Sequence, residues 1–112
     1  HAMKLFDHVL ERGGSITLQP VKAPHSSWKS PLAAFQESKK HEALVTSLIN
    51  SLVEQAQKEK DHASVETLQW FVKEQVEEEA SVALIVDQLA MVGEAKPALL
   101  MLDHRLGKRG KE

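Results

Sequence analysis

Two long stretches of helical apolar spacing, separated by only a few residues, restrict this chain more than any other feature. The first is "SPLAAFQESKKHEALVTSLINSLVEQAQKEK", residues 30–60, with a seam of Phe35, Ser38, Glu42, Val45, Ile49, Leu52 and Ala56. The second runs from the break at "KDHAS" to about Val92, where Gly93 stops it. Its seam is Leu68, Phe71, Gln75, Glu78, Val82, Ile85 and Leu89. Positions spaced alternately three and four apart fall on one helix face. Ser30 is a favourable N-cap and Pro31 a favourable first helical residue. Because the break is short, the two helices are expected to be antiparallel neighbours. No strand pattern exceeds a few residues, so the fold class is all-α.

The flanking segments are less regular. Residues 1 to about 12 read as the end of an amphipathic helix, with Met3, Leu5, Phe6, Val9 and Leu10 on its apolar side. "ERGGS" closes it, with Arg12 at the C-terminus and Gly13-Gly14 as a left-handed cap. The chain starts at His1 inside the helical pattern with no N-cap before it, which reads as a chain that has lost its beginning. Residues 15–31 carry three prolines and no helical period, with a short extended piece at Ile16 to Leu18. So long a connection is uncommon within a compact domain and is expected to travel the length of something. A last short helix, near Pro97 to Gly107, places Leu99, Leu102 and Leu106 on one face.

Composition narrows the function classes. Hydrophobic residues make up 42% and charged residues 27% of 112, which suits one soluble domain over 1–112 and not disorder. A net charge of -2 and a pI near 6.3 argue against nucleic acid as a partner. The basic Lys108-Arg109-Gly110-Lys111 tail reads as a solvated terminus. The absence of cysteine excludes disulfides, thiolate metal sites and cysteine nucleophiles, and fits a reducing cytoplasm. No apolar run reaches the roughly 20 residues of a membrane span, and no signal peptide is visible.

What the seams lack in hydrophobicity is the candidate site. Gln75 and Glu78 stand where neighbouring turns carry Phe and Val, and Glu42 interrupts the facing seam. With the turn centred near Asp61 and a rise of about 1.5 Å per residue, Glu42 lies level with a position near 80, within one turn of Glu78. Glu74 is one turn from Glu78 on an adjacent face. Facing buried carboxylates repel, so a proton stays on, a cation pairs with them, or the site is wet. Clustered carboxylates with an amide and an imidazole suit divalent iron or manganese. The plainer readings are a solvated charge run in "EQVEEEA", above all for Glu77 and Glu79, and a metal-free polar contact between helices. "HEALV" lacks the second His of a zincin, and "ERGGS" lacks the spacing and Lys of a phosphate loop. His41, His62 and His104 read as surface residues. Trp70 and Phe71 read as packing residues, although Trp70, one turn from Glu74, could line a site. The three methionines are too scattered for a haem or copper box.

In order and spacing, "HAMKLFDHVLERGG", "AFQESKKHE", "EKDHA" and above all "LQWFVKEQVEEEASV" resemble the non-haem bacterial ferritins. The likeness runs from the second half of helix B through C, D and the short E helix. It implies a ferritin-like four-helix bundle, seen here as a long antiparallel hairpin plus a helix B remnant and a short C-terminal helix. Helix A and the start of helix B, including the Glu three residues before His1, are absent from the pattern.

The resemblance, not the spacing, supplies the roles. His1 matches the closing His of the helix B Glu-x-x-His and would hold the first iron, and Glu42 matches the helix C glutamate. Gln75 and Glu78 match the Gln-x-x-Glu that ferritins carry in place of a second Glu-x-x-His. Glu42 and Glu78 would bind metal directly, and Gln75 would orient oxygen or the second iron. Glu74 and Glu77, with Glu78, resemble the third iron position and would receive iron on its way inward. The implied activity is that of a ferroxidase. Non-haem ferrous iron would be oxidised by dioxygen or peroxide at a di-iron carboxylate site and stored as ferric oxide in an octahedral homo-oligomeric cage. The last helix would line the fourfold axis, and a separate chain carrying helices A and B would complete the bundle. The alternative is a non-catalytic hairpin that oligomerises into a substitute bundle. An unrelated helical adaptor is a third reading.

Overall fold

The computed structural model describes residues 1–93 and 95–108. Among them, four helices and no strand are found: α1 (Ala2–Glu11), α2 (Pro31–Lys58), α3 (His62–Val92) and α4 (Lys96–Leu106). The all-α expectation and the element boundaries hold. Glu94 and residues 109–112, which include most of the basic tail, lie outside the described residues.

Local chemistry sets these boundaries. The Ser30 hydroxyl accepts from the Ala33 amide at 3.1 Å and so caps α2, with Pro31 next to it. At the other end, Lys60 takes a left-handed conformation, φ 58°. The Asp61 amide then reaches back to the Ala56 carbonyl at 2.8 Å, and the Lys60 amide reaches the Gln57 carbonyl at 3.0 Å. This is a Schellman closure built on a lysine where glycine is usual. Asp61 is at once the last residue of that closure and the N-cap of α3. Its carboxylate accepts from the Ser64 amide at 3.2 Å and the Ser64 hydroxyl at 2.6 Å. The reversal is therefore tight, and α2 and α3 pack along their length as an antiparallel pair.

One core cluster, made of Ile49, Ala56, Leu68 and Phe71, lies near the turn. A second, made of Ile85, Leu89 and Leu102, draws in Phe35 from the start of α2 and Leu99 and Leu106 from α4. Of the α3 seam, every member is buried except Glu78, which is half-buried. The α2 seam needs two corrections. Ser38 is exposed, and so is Leu52, at 49%; Val53 packs against the core in its place. At 3.6 residues per turn, the stripe 45, 49, 53, 56 stays toward α3. Leu52 instead continues a second apolar stripe with Leu44 and Leu48, which is exposed.

Helix α1 lies against α3 and runs antiparallel to it. His1 sits beside Trp70 and Phe71, His8 bonds Ser64 and Thr67, and Arg12 bridges Asp61 at 2.8 Å. So α1 ends at the level of the hairpin turn, whereas α2 begins at the opposite end, about 42 Å away for 28 helical residues. The intervening segment has to span the bundle, as its length implied. It holds no regular structure; the extended piece at Ile16 to Leu18 forms no strand, and Leu18 is 84% exposed. It is fastened before α2 by Trp28, whose indole N–H donates to Glu37, and by His25, 3.4 Å from the same carboxylate.

Candidate metal centre

The polar interruptions in the two seams do meet. Gln75 is 3% exposed and is the buried polar side chain among the described residues. Its Nε2 donates toward three oxygens of α2: the Glu42 carbonyl at 3.2 Å, Glu42 Oε2 at 3.1 Å and Thr46 Oγ1 at 3.0 Å. A buried amide is costly unless paired, and here the pairing crosses the helix interface. Glu42 is half-buried beside it.

On α3, Glu74 next to Gln75 and Glu78 one turn beyond it are half-buried, and His1, the N-cap of α1, closes on them. One ligand atom from each of the three lies within 4.8 Å of the others. The His1 ring is tilted against Trp70, with centroids 5.0 Å apart, and meets Phe71 edge-on at 5.9 Å. Lys4 Nζ covers the Trp70 ring at 4.2 Å. Trp70 thus supports the imidazole that faces the carboxylates. Two carboxylates brought together repel, and an imidazole nitrogen alongside them completes a mixed N/O donor set of the kind that divalent iron, manganese or zinc accepts.

Six residues were singled out from sequence, and they fall into two groups with one outlier. His1, Glu74 and Glu78 cluster, while Glu42 and Gln75 are bonded to each other across α2 and α3. Glu42 does not join the three-residue cluster, and Glu77 is exposed and stands outside both groups. His41, His62 and His104 are exposed, as expected. Sequence reasoning missed Thr46. Its position one turn beyond Glu42 was the available signal, because a helical Thr at that spacing bonds back to the preceding turn. It also missed the His8–Ser64–Asp61–Arg12 chain that ties α1 to the hairpin turn. A separate cleft of about 420 Å³ beneath α4 is walled by Phe35, Leu89, Leu99, Leu102 and Leu106 and offers no comparable donor set.

The fold recurs in known proteins. The Ferritin-like domain family matches residues 1–92. A bacterial non-heme ferritin of Campylobacter jejuni is 40% identical over 104 residues, covering 93% of this chain and 62% of that protein. One of Bacteroides fragilis is 37% identical over 109 residues, covering 97% and 67%. The crystal structure of an open pore ferritin from the hyperthermophilic archaeon Archaeoglobus fulgidus superposes with a TM-score of 0.96 at 55% identity, covering 97% of this chain and 67% of that one. The chain thus spans about two thirds of the length of the ferritins it matches. Over that span the chain belongs to the ferritin-like family.

Proposed function

We propose that this chain serves iron storage and ferrous iron oxidation as part of a ferritin. Iron is the substrate: each ferrous ion gives up one electron to dioxygen or peroxide and is held afterwards as ferric oxide. The observation that carries the reading is the clustering of His1, Glu74 and Glu78 beside the Gln75–Glu42 pair, on helices that otherwise pack with hydrocarbon. His1, Glu74 and Glu78 present one imidazole and two carboxylates to a cation. Glu42 adds a third carboxylate across the seam, and Gln75 orients what binds between them. Glu77, exposed, receives iron leaving the cluster. The remaining ligands of a dinuclear centre would come from chain that corresponds to the relatives' further length. The assembly would be a homo-oligomeric cage in the reducing cytoplasm. No described helix is long and apolar enough to cross a membrane. The family match disfavours a non-catalytic hairpin.

Ferrous iron added aerobically, followed by ferric absorbance, tests this. The chain should oxidise iron faster than buffer, and Glu78→Ala should return the rate to that of buffer. Equal rates for chain, variant and buffer would exclude catalysis by this chain.

A further inference from the structure

Gln75 is buried with its amide turned in one direction, and the protein shows what turns it. Nε2 faces two oxygens of Glu42 and the hydroxyl oxygen of Thr46, all at 3.0–3.2 Å. An amide's two ends differ in what they can bond: the amino end donates and the oxygen accepts. Here the partners decide. The carbonyl of Glu42 and its carboxylate can only accept. The Thr46 hydroxyl has one proton, and it is committed to the Glu42 carbonyl one turn back, at 3.0 Å. Thr46 therefore meets Gln75 with a lone pair and nothing to donate. A reversed amide would set its oxygen against these acceptors and take from the Glu42 carboxylate the proton that Gln75 supplies.

We propose that Thr46 is the positioning residue of the metal centre. By spending its proton on its own helix, it fixes Gln75 with the amino end toward α2, which leaves the carbonyl oxygen unused by α2 and available to a cation held by Glu74 and Glu78. A carbonyl oxygen is a ligand or hydrogen-bond acceptor for a hard cation and its water. The amino end in the same place would repel the cation. This deepens the ferroxidase reading and rests on it for the role of the oriented oxygen. The orientation itself rests on the hydrogen bonds alone.

The test uses the 112-residue chain, and manganese(II) as a cation that air does not readily oxidise. Thr46→Val keeps the shape of the side chain and removes the hydroxyl. Thr46→Ala removes it with a stronger helix former, in case valine disturbs folding. Thr46→Ser restores it. In the hydroxyl-free variants the Gln75 side-chain amide protons, followed by 15N NMR, should exchange with water faster. Manganese affinity, followed by the EPR signal of the free ion, should fall roughly tenfold, the scale of one lost hydrogen bond. Thr46→Ser should match wild type in both. Unchanged amide exchange in Thr46→Val and Thr46→Ala, or a Thr46→Ser variant that behaves like them, overturns the positioning role. If amide exchange responds as described but Glu78→Ala binds manganese as wild type does, the metal-centre reading fails and takes the functional half of the proposal with it.

Discussion

At the scale of single residues, the centre depends on Gln75 being neutral. It lies 3.1 Å from Glu42 Oε2 and is buried, so a charge there meets a carboxylate without water to separate them. Gln75→Glu should therefore lower stability at neutral pH by about 1–3 kcal/mol, through repulsion and the lost donor. The loss should shrink when acid protonates the new carboxyl, or when manganese is added; a urea midpoint that ignores both would contradict the geometry. Asp61 shows the opposite case, a carboxylate that the fold wants charged. Its carboxyl is held well below the usual range, first by the Ser64 hydroxyl, then by the Arg12 guanidinium and the Ser64 amide. A group whose folded pKa is depressed stabilises the fold above its unfolded value, about 3.9, and loses that contribution as pH falls toward the folded value. Asp61→Asn preserves an N-capping side chain and removes the charge. The stability gap between wild type and variant should be constant above about pH 5 and close progressively below about pH 4, as read from denaturation midpoints across that range.

At the scale of elements, the turn between α2 and α3 carries a strain that can be relieved. Lys60 sits at φ 58°, a conformation that costs an L-residue roughly 1–2 kcal/mol and a glycine little. Part of that gain is offset because glycine loses more chain entropy on folding. Lys60→Gly should thus stabilise by up to about 1 kcal/mol and raise the thermal midpoint by a few degrees, whereas Lys60→Val should lower it. Nothing in "KEKDHA" announces this geometry, since lysine gives no sign of a left-handed residue. The helices around it were legible because periodicity, caps and prolines agreed over 28 and 31 residues. The polar seam was legible for the same reason, as a fault in a regular pattern. Leu52 was misplaced because a rule of alternating threes and fours cannot choose between 52 and 53 without the facing helix. Thr46 was overlooked because its role depends on where one hydroxyl proton goes, which spacing does not encode. The clustering of His1 with Glu74 and Glu78 was suggested by family resemblance alone, since it joins residues more than seventy positions apart.

At the scale of the whole molecule, the position of α1 and the long crossover account for each other. Helix α1 stops beside Asp61, α2 starts at the far end, and the chain has to cover the length of the bundle between them, within an overall extent of 53 Å. This leaves α2 with one apolar stripe spent on α3 and another, Leu44, Leu48 and Leu52, facing outward at 54%, 55% and 49% exposure. A row of leucines in water is unfavourable, and contiguous exposed apolar surface marks an interface. On the function proposed above, further protein covers this stripe, so the 12.5 kDa chain should scatter light as a concentration-dependent oligomer. Leu48→Lys places a charge in the middle of the stripe but leaves the α3-facing positions 45, 49, 53 and 56 untouched. It should reduce the scattering mass while far-UV helicity is retained. If wild type runs as a monomer at every concentration, or if Leu48→Lys leaves the association unchanged, the stripe is not an assembly surface.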